Sequence, residues 1–194
     1  MKARILLDTK IDSNKITVIT NSEKRSFADN FLEKKENFFV NYSDKFIISY
    51  VGGFGPHRGL QTAILGMKDI KEKIPNALLT LIGPANKDVK NYLFTLIKEN
   101  RLEDHVKIFD AQPFDKVVAI MKSSHVNIIP HISNLHTEST IPHKLYQILL
   151  SKKPILVSSC APLQRIIEDE DIGTVFKADS SVSFSDKVNH IYHN

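Results

Sequence analysis

Arg58, Lys144 and Glu138 are the charged side chains whose settings suggest chemistry, and the chemistry is the handling of an anionic, hydroxyl-bearing ligand. Arg58 lies in the run Gly52-Gly53-Phe54-Gly55-Pro56-His57-Arg58-Gly59. Glycines at 52, 53 and 55 allow a tight turn and a close backbone approach, so that N–H groups can meet phosphate oxygens. The guanidinium of Arg58 presents a planar fork of matching geometry. The spacing is not the dinucleotide fingerprint, because the third glycine would fall where Arg58 stands, and no Walker pattern occurs. Taken alone, the run fits a plain strand-to-helix turn as well as a ligand loop.

The second stretch is 131–160, HISNLHTESTIPHKLYQILLSKKPILVSSC. It predicts a helix beginning at Thr140 or Ile141, with Pro142 in its first turn and Leu145, Ile148 and Leu149 as the core stripe. Lys144, Gln147 and Ser151 fall on the opposite stripe. Lys144 is then either a solvated lysine or a cation for a ligand, and Gln147 either a surface amide or a hydroxyl partner. Ser139, Thr140 and Ile141 can offer backbone N–H groups to a phosphate, and Thr140 can also serve as an N-cap. Glu138 is either an ordinary loop acid or an acceptor for sugar hydroxyls. His131, His136 and His143 fit no zinc spacing and have no supporting cysteine, so no metal site is expected. Cys160 ends an apolar strand without a catalytic partner, which predicts a buried free thiol. No serine stands in a G-x-S-x-G elbow.

These residues need a frame to hold them. From Lys45 onward, short apolar runs without alternation (46–51, 77–83, 106–109, 126–130, 154–158 and 173–177) interleave with amphipathic stretches (60–72, 87–100, 114–122, 142–151, 161–168 and 183–193). That pattern predicts an α/β fold with a doubly wound, Rossmann-like parallel sheet. Residues 1–44 form an entry segment with a short helix within 1–14, a strand at 15–20 (KITVIT) and an amphipathic helix over 22–37 carrying Phe27, Phe31 and Leu32. Residues 45–194 form the domain. With 26 Lys+Arg against 22 Asp+Glu the net charge is +4, yet no basic run interleaves with aromatics, which argues against nucleic acid. No apolar run is long enough to cross a bilayer. A single cysteine suits a reducing cytoplasm.

The runs SYVGGFGPHRGLQTAI, LLTLIGPANK and VNIIPHISNLHTESTIPHKLYQILLSKKPILVSS resemble the C-terminal half of a retaining two-domain glycosyltransferase. The family is the large group 1, which includes glycogen synthase and many capsule and lipopolysaccharide sugar transferases. The resemblance implies that this half binds a nucleotide-sugar donor, a UDP- or GDP-sugar, without metal or other cofactor. A saccharide acceptor would be bound by an N-terminal domain, which would lie outside this chain, and the protein would work in the cytoplasm or at the inner face of the membrane. It implies that Arg58 reaches the donor diphosphate with Lys144, that the loop of Gly52, Gly53 and Gly55 faces the same phosphates, and that Gly83 and Pro84 border the nucleotide base. Ser139, Thr140 and Ile141 would supply helix-start N–H groups, Glu138 would meet the sugar, and Gln147 would bind the ribose hydroxyls. The sequence departs from the family at Gln147, which replaces the second acid of a glutamate pair. At the family's spacing the first acid would fall on Ser139, next to Glu138, and Gly53 replaces a usual arginine. A nucleotide-binding domain without turnover, or a UDP-sugar epimerase of related fold, is the alternative.

Overall fold

The structure, a computed structural model, describes residues 2–19, 21–26, 29 and 37–194. Six parallel strands make one sheet: β1 (Phe46–Val51), β2 (Ala77–Ile82), β3 (Val106–Phe109), β4 (Val126–Ile129), β5 (Ile155–Ser158) and β6 (Thr174–Phe176). Their order is β3-β2-β1-β4-β5-β6. β1 is central and aligns Phe46 to Val51 with Ala77 to Ile82 on one side and Ile48 with Val126 on the other. The sheet is covered on both faces, so β2, β4 and β5 are buried along their whole length.

The helices are α1 (Lys2–Asp8), α2 (Leu60–Lys73), α3 (Lys87–Glu99), α4 (Phe114–Ser123), α5 (Lys144–Leu150), α6 (Ala161–Asp169) and α7 (Ser181–His193). The larger core cluster joins Tyr50, Ile64 and Met67 to Phe176 and Phe184, whose rings meet edge to face at 5.2 Å. A second cluster joins Val118, Leu145, Ile148, Leu163 and Ile167, with Cys160 buried among them. None of the described helices is long and apolar enough to cross a membrane.

One expectation of the entry segment needs correction, and a second lies largely outside the described residues. The predicted strand at 15–20 is absent from its described residues. Lys15 closes a 3-10 turn (Ser13–Lys15), and Ile16 to Ile19 pair with no strand among the described residues, leaving Val18 and Ile19 exposed. β-branched residues favour a pleated surface only where a neighbouring strand exists. Of the predicted helix at 22–37, Arg25, Ser26 and Asp29 are described and helical, and Phe27, Phe31 and Leu32 lie outside the described residues.

The chain adds β2 and β3 to one side of β1, then returns to place β4 on the other. At the carboxyl ends of β1 and β4 the chain leaves for opposite sides of the sheet, towards β2 and β5, and the crevice at this switch point is where such sheets hold ligands.

Candidate functional site

Three loops meet at this crevice, and glycines let them. At Gly59 (φ +66°) an added Cβ would collide with the carbonyl oxygen of Pro130, so the loop after β1 lies directly against the end of β4. The Ile132 N–H also donates to the His57 carbonyl at 3.2 Å. On the other side, the Phe54 N–H donates to the Pro84 carbonyl at 2.9 Å, joining this loop to the one after β2. Gly83 packs against the Gly52 carbonyl so closely that a side chain would overlap it.

Lys144 is the centre of the site. It is the first residue of α5, and its ammonium lies 3.8 Å above the centroid of the Tyr50 ring. Its Nζ is fully enclosed and, among the described residues, has no hydrogen-bond partner. A Cβ at Gly52 would stand 2.5 Å from that Nζ, so the absent side chain makes the space for it. Burial, and then the Arg58 charge, push the ammonium well below the usual lysine range. Tyr50 donates its hydroxyl to the Gly53 carbonyl at 2.8 Å, which steadies the glycine loop. Burial raises its phenol above the ordinary value against a weaker opposing pull from Arg58, so it keeps its proton.

Arg58 ends a 3-10 turn (Pro56–Arg58), and its Nη1 lies 3.0 Å from His131 Nε2. His131, just past β4, is buried at 4% exposure. Burial, followed by the charges of Lys144, Arg58, His57 and His136, lowers its pKa from 6.5 to about 3. The His57 ring stands 6.2 Å from that of His131 and 5.5 Å from that of His136. Burial first, then Arg58, lowers the His57 pKa too. Arg58, Lys144 and three imidazoles thus converge on one crevice.

The acid of the set is turned elsewhere. Glu138 Oε1 accepts the Ser133 hydroxyl at 2.6 Å, and Oε2 accepts the Ala161 N–H at 2.8 Å, capping α6. These two bonds hold its pKa below the usual glutamate value. The carboxylate therefore braces the loop after β4. Gln147 is half-buried one turn along α5 from Lys144.

The helix start also differs from expectation. α5 begins at Lys144, with His143 at the N-cap position and no side-chain cap, so Thr140 is not the cap. Ser139 and Thr140 lie before it, and their hydroxyls donate to the carbonyl of His136 at 3.0 and 2.9 Å. Proline disfavours the helical region for the residue before it, so Pro142 keeps Ile141 out of the helix. The entry segment reaches the same place: Asn21 Nδ2 donates to the Ile141 carbonyl at 3.0 Å, and His143 Nε2 lies 3.0 Å from the Ser22 carbonyl.

Two members of the site escaped the sequence analysis, Tyr50 and the role of His131 beside Arg58. A phenol inside a buried strand was the available signal, since its hydroxyl needs a partner. Beside the site, Gly55, Pro56, Leu60 and Gln61 face Asp88, Val89, Tyr92 and Leu93 across an apolar groove of about 400 Å³. Among the described residues no three His, Cys, Asp or Glu side chains converge as a metal site.

The fold is shared with many solved structures. Anabaena HepE in complex with UDP superposes with a TM-score of 0.81 at 14% identity, over 99% of this chain and 51% of that one. WaaG, a glycosyltransferase involved in lipopolysaccharide biosynthesis, gives 0.79 at 14% identity over 99% and 51%. The chain therefore spans about half the length of these two proteins. The C-terminal domain of the group 1 glycosyl transferase LpcC from Francisella tularensis gives 0.63 at 17% identity, over 89% of this chain and 85% of that domain. Comparison with curated protein sequences gives no match. The sequence profile of "Glycosyl transferases group 1" matches residues 32–194, and the chain belongs to that family.

Proposed function

We propose that this chain is the donor-binding half of a retaining glycosyltransferase that takes a hexose from a UDP- or GDP-sugar. The observation that carries the reading is the enclosed, unpartnered ammonium of Lys144 beside Arg58, at the carboxyl ends of β1 and β4. A buried cation without a partner is costly, and a bound diphosphate would supply the missing acceptors. On this reading the amides of Gly53, Thr140 and Ile141 would donate to the same phosphates. The groove beyond Gly55 and Pro56 has the size and apolar lining to take a nucleobase near the Gly83–Pro84 turn. Gln147 would meet the ribose.

In the reaction the bond from the anomeric carbon to the diphosphate oxygen breaks, and the diphosphate leaves with the electron pair. The acceptor hydroxyl bonds to that carbon from the same face and passes its proton to the departing phosphate oxygen. Arg58 and Lys144 stabilise the charge that develops on the diphosphate, and no metal is required. The acceptor is a saccharide presented by an N-terminal domain. A role in capsule or lipopolysaccharide assembly at the inner membrane face is the reading that such relatives as WaaG support.

Titration calorimetry of the chain with UDP, GDP and ADP tests the assignment. Binding of one diphosphate that Arg58→Ala weakens at least tenfold supports it; no binding, or an unaffected variant, overturns it. A second reading, a nucleotide-binding domain without turnover, is favoured by the engagement of Glu138 with Ser133 and Ala161. Transfer of radiolabelled sugar from the donor by the intact enzyme would exclude it.

A further inference from the structure

The nearest partner of Arg58 is neither a carboxylate nor a carbonyl but an imidazole nitrogen, His131 Nε2, at 3.0 Å. A guanidinium only donates, so Nε2 must carry the lone pair and Nδ1 the proton. The ring is therefore neutral. Its surroundings demand the same, because Arg58, Lys144, His57 and His136 all act on it and, among the described residues, no carboxylate does. His131 is itself immobile, being buried and placed between Pro130, which abuts Gly59, and Ile132, whose N–H holds the His57 carbonyl. The turn that carries Arg58 and the ring that accepts from it are thus fastened to each other twice, through backbone and side chain.

We propose that His131 is the positioning residue for Arg58, a neutral acceptor that holds one N–H of the guanidinium and aims the remaining donors at the crevice. A carboxylate in that place would hold Arg58 as firmly, but it would cancel the charge that an anion needs. A neutral acceptor orients the cation and leaves its charge intact. This inference rests on the diphosphate reading of the site above.

The test uses the whole chain and UDP. Calorimetry compares wild type, His131→Leu, His131→Gln, Arg58→Ala and the Arg58→Ala/His131→Leu double variant, with thermal unfolding confirming that each is folded. Losing a hydrogen bond to a charged group predicts about tenfold weaker binding for His131→Leu. His131→Gln, whose amide oxygen can reach the same place, should recover most of it. The double variant should bind no worse than Arg58→Ala alone. Wild-type affinity in His131→Leu, or additive losses in the double variant, overturns the inference. If Arg58→Ala itself leaves UDP binding unchanged, the diphosphate site is what fails. Should His131→Leu not fold, ¹⁵N spectra of wild type still decide: an unprotonated Nε2 with a protonated Nδ1, constant from pH 8 to 5, is required, and the reverse tautomer refutes it.

Discussion

Replacing Lys144 by methionine should make the protein more stable and less able to bind nucleotide. Methionine keeps the length of the stem and removes only the ammonium, which is sealed above the Tyr50 ring without an acceptor. The magnitude follows from burial. Enclosing a donor that has no acceptor costs about 1–3 kcal/mol, and methionine removes that cost. A net gain of about 1–3 kcal/mol in Lys144→Met, or about 2–10 °C in Tm for a chain of this size, is expected. The pH dependence carries the same signature. Because the folded state lowers the lysine pKa, the unfolded chain holds this proton more tightly, and wild-type stability rises as the pH climbs towards 10.5. Lys144→Met should lose that rise. Calorimetric unfolding at several pH values, with UDP titration alongside, measures both. A variant destabilised by more than 1 kcal/mol, or one that binds UDP as wild type does, would refute the reasoning.

Three further outcomes are expected. Glu138→Ala removes the acceptor for both Ser133 Oγ and the Ala161 N–H and should cost about 1–2 kcal/mol in urea unfolding. The folded pKa of Glu138 is lowered, so its contribution is complete above the ordinary value of 4.5 and fades as the pH falls below it. Gly83→Ala places a Cβ on the Gly52 carbonyl at a φ of +155° and should cost about 3 kcal/mol or more, seen as a large fall in Tm. Acidification from pH 6.5 towards 3 should destabilise the chain by up to about 1.4 kcal/mol per pH unit through His131, which the unfolded state protonates first. His131→Gln should show a shallower acid slope, and an unchanged one would count against the buried neutral ring.

The sheet was legible because its strands are covered on both faces, which leaves unbroken apolar runs such as FIISYV and ALLTLI, while α2 and α3 repeat their apolar residues at helical spacing. The entry segment was less legible, since KITVIT has strand composition but no neighbour to pair with. Lys144 shows what a helical wheel omits. It groups residues by face, but α5 is short and begins at the crevice, so its nominally outer face turns onto Tyr50 there. Ser151, at the other end of the same stripe, is buried as well and donates to the Ile148 carbonyl at 2.6 Å. Glu138 and His131 were invisible as partners because Ala161 and Arg58 lie far from them in sequence. Histidine spacing spoke only to metals, whereas the contact that matters at His131 is tertiary.

The central claim is that a nucleoside diphosphate binds where the loops after β1 and β4 converge on Lys144. Amide chemical-shift mapping of the ¹⁵N-labelled chain during a UDP titration tests it most directly. The account predicts saturable shifts at Gly52, Gly53, Arg58, Thr140, Ile141 and Lys144, all abolished in parallel by Arg58→Ala. Shifts absent from these amides, or confined to the amino ends of the strands, would contradict it.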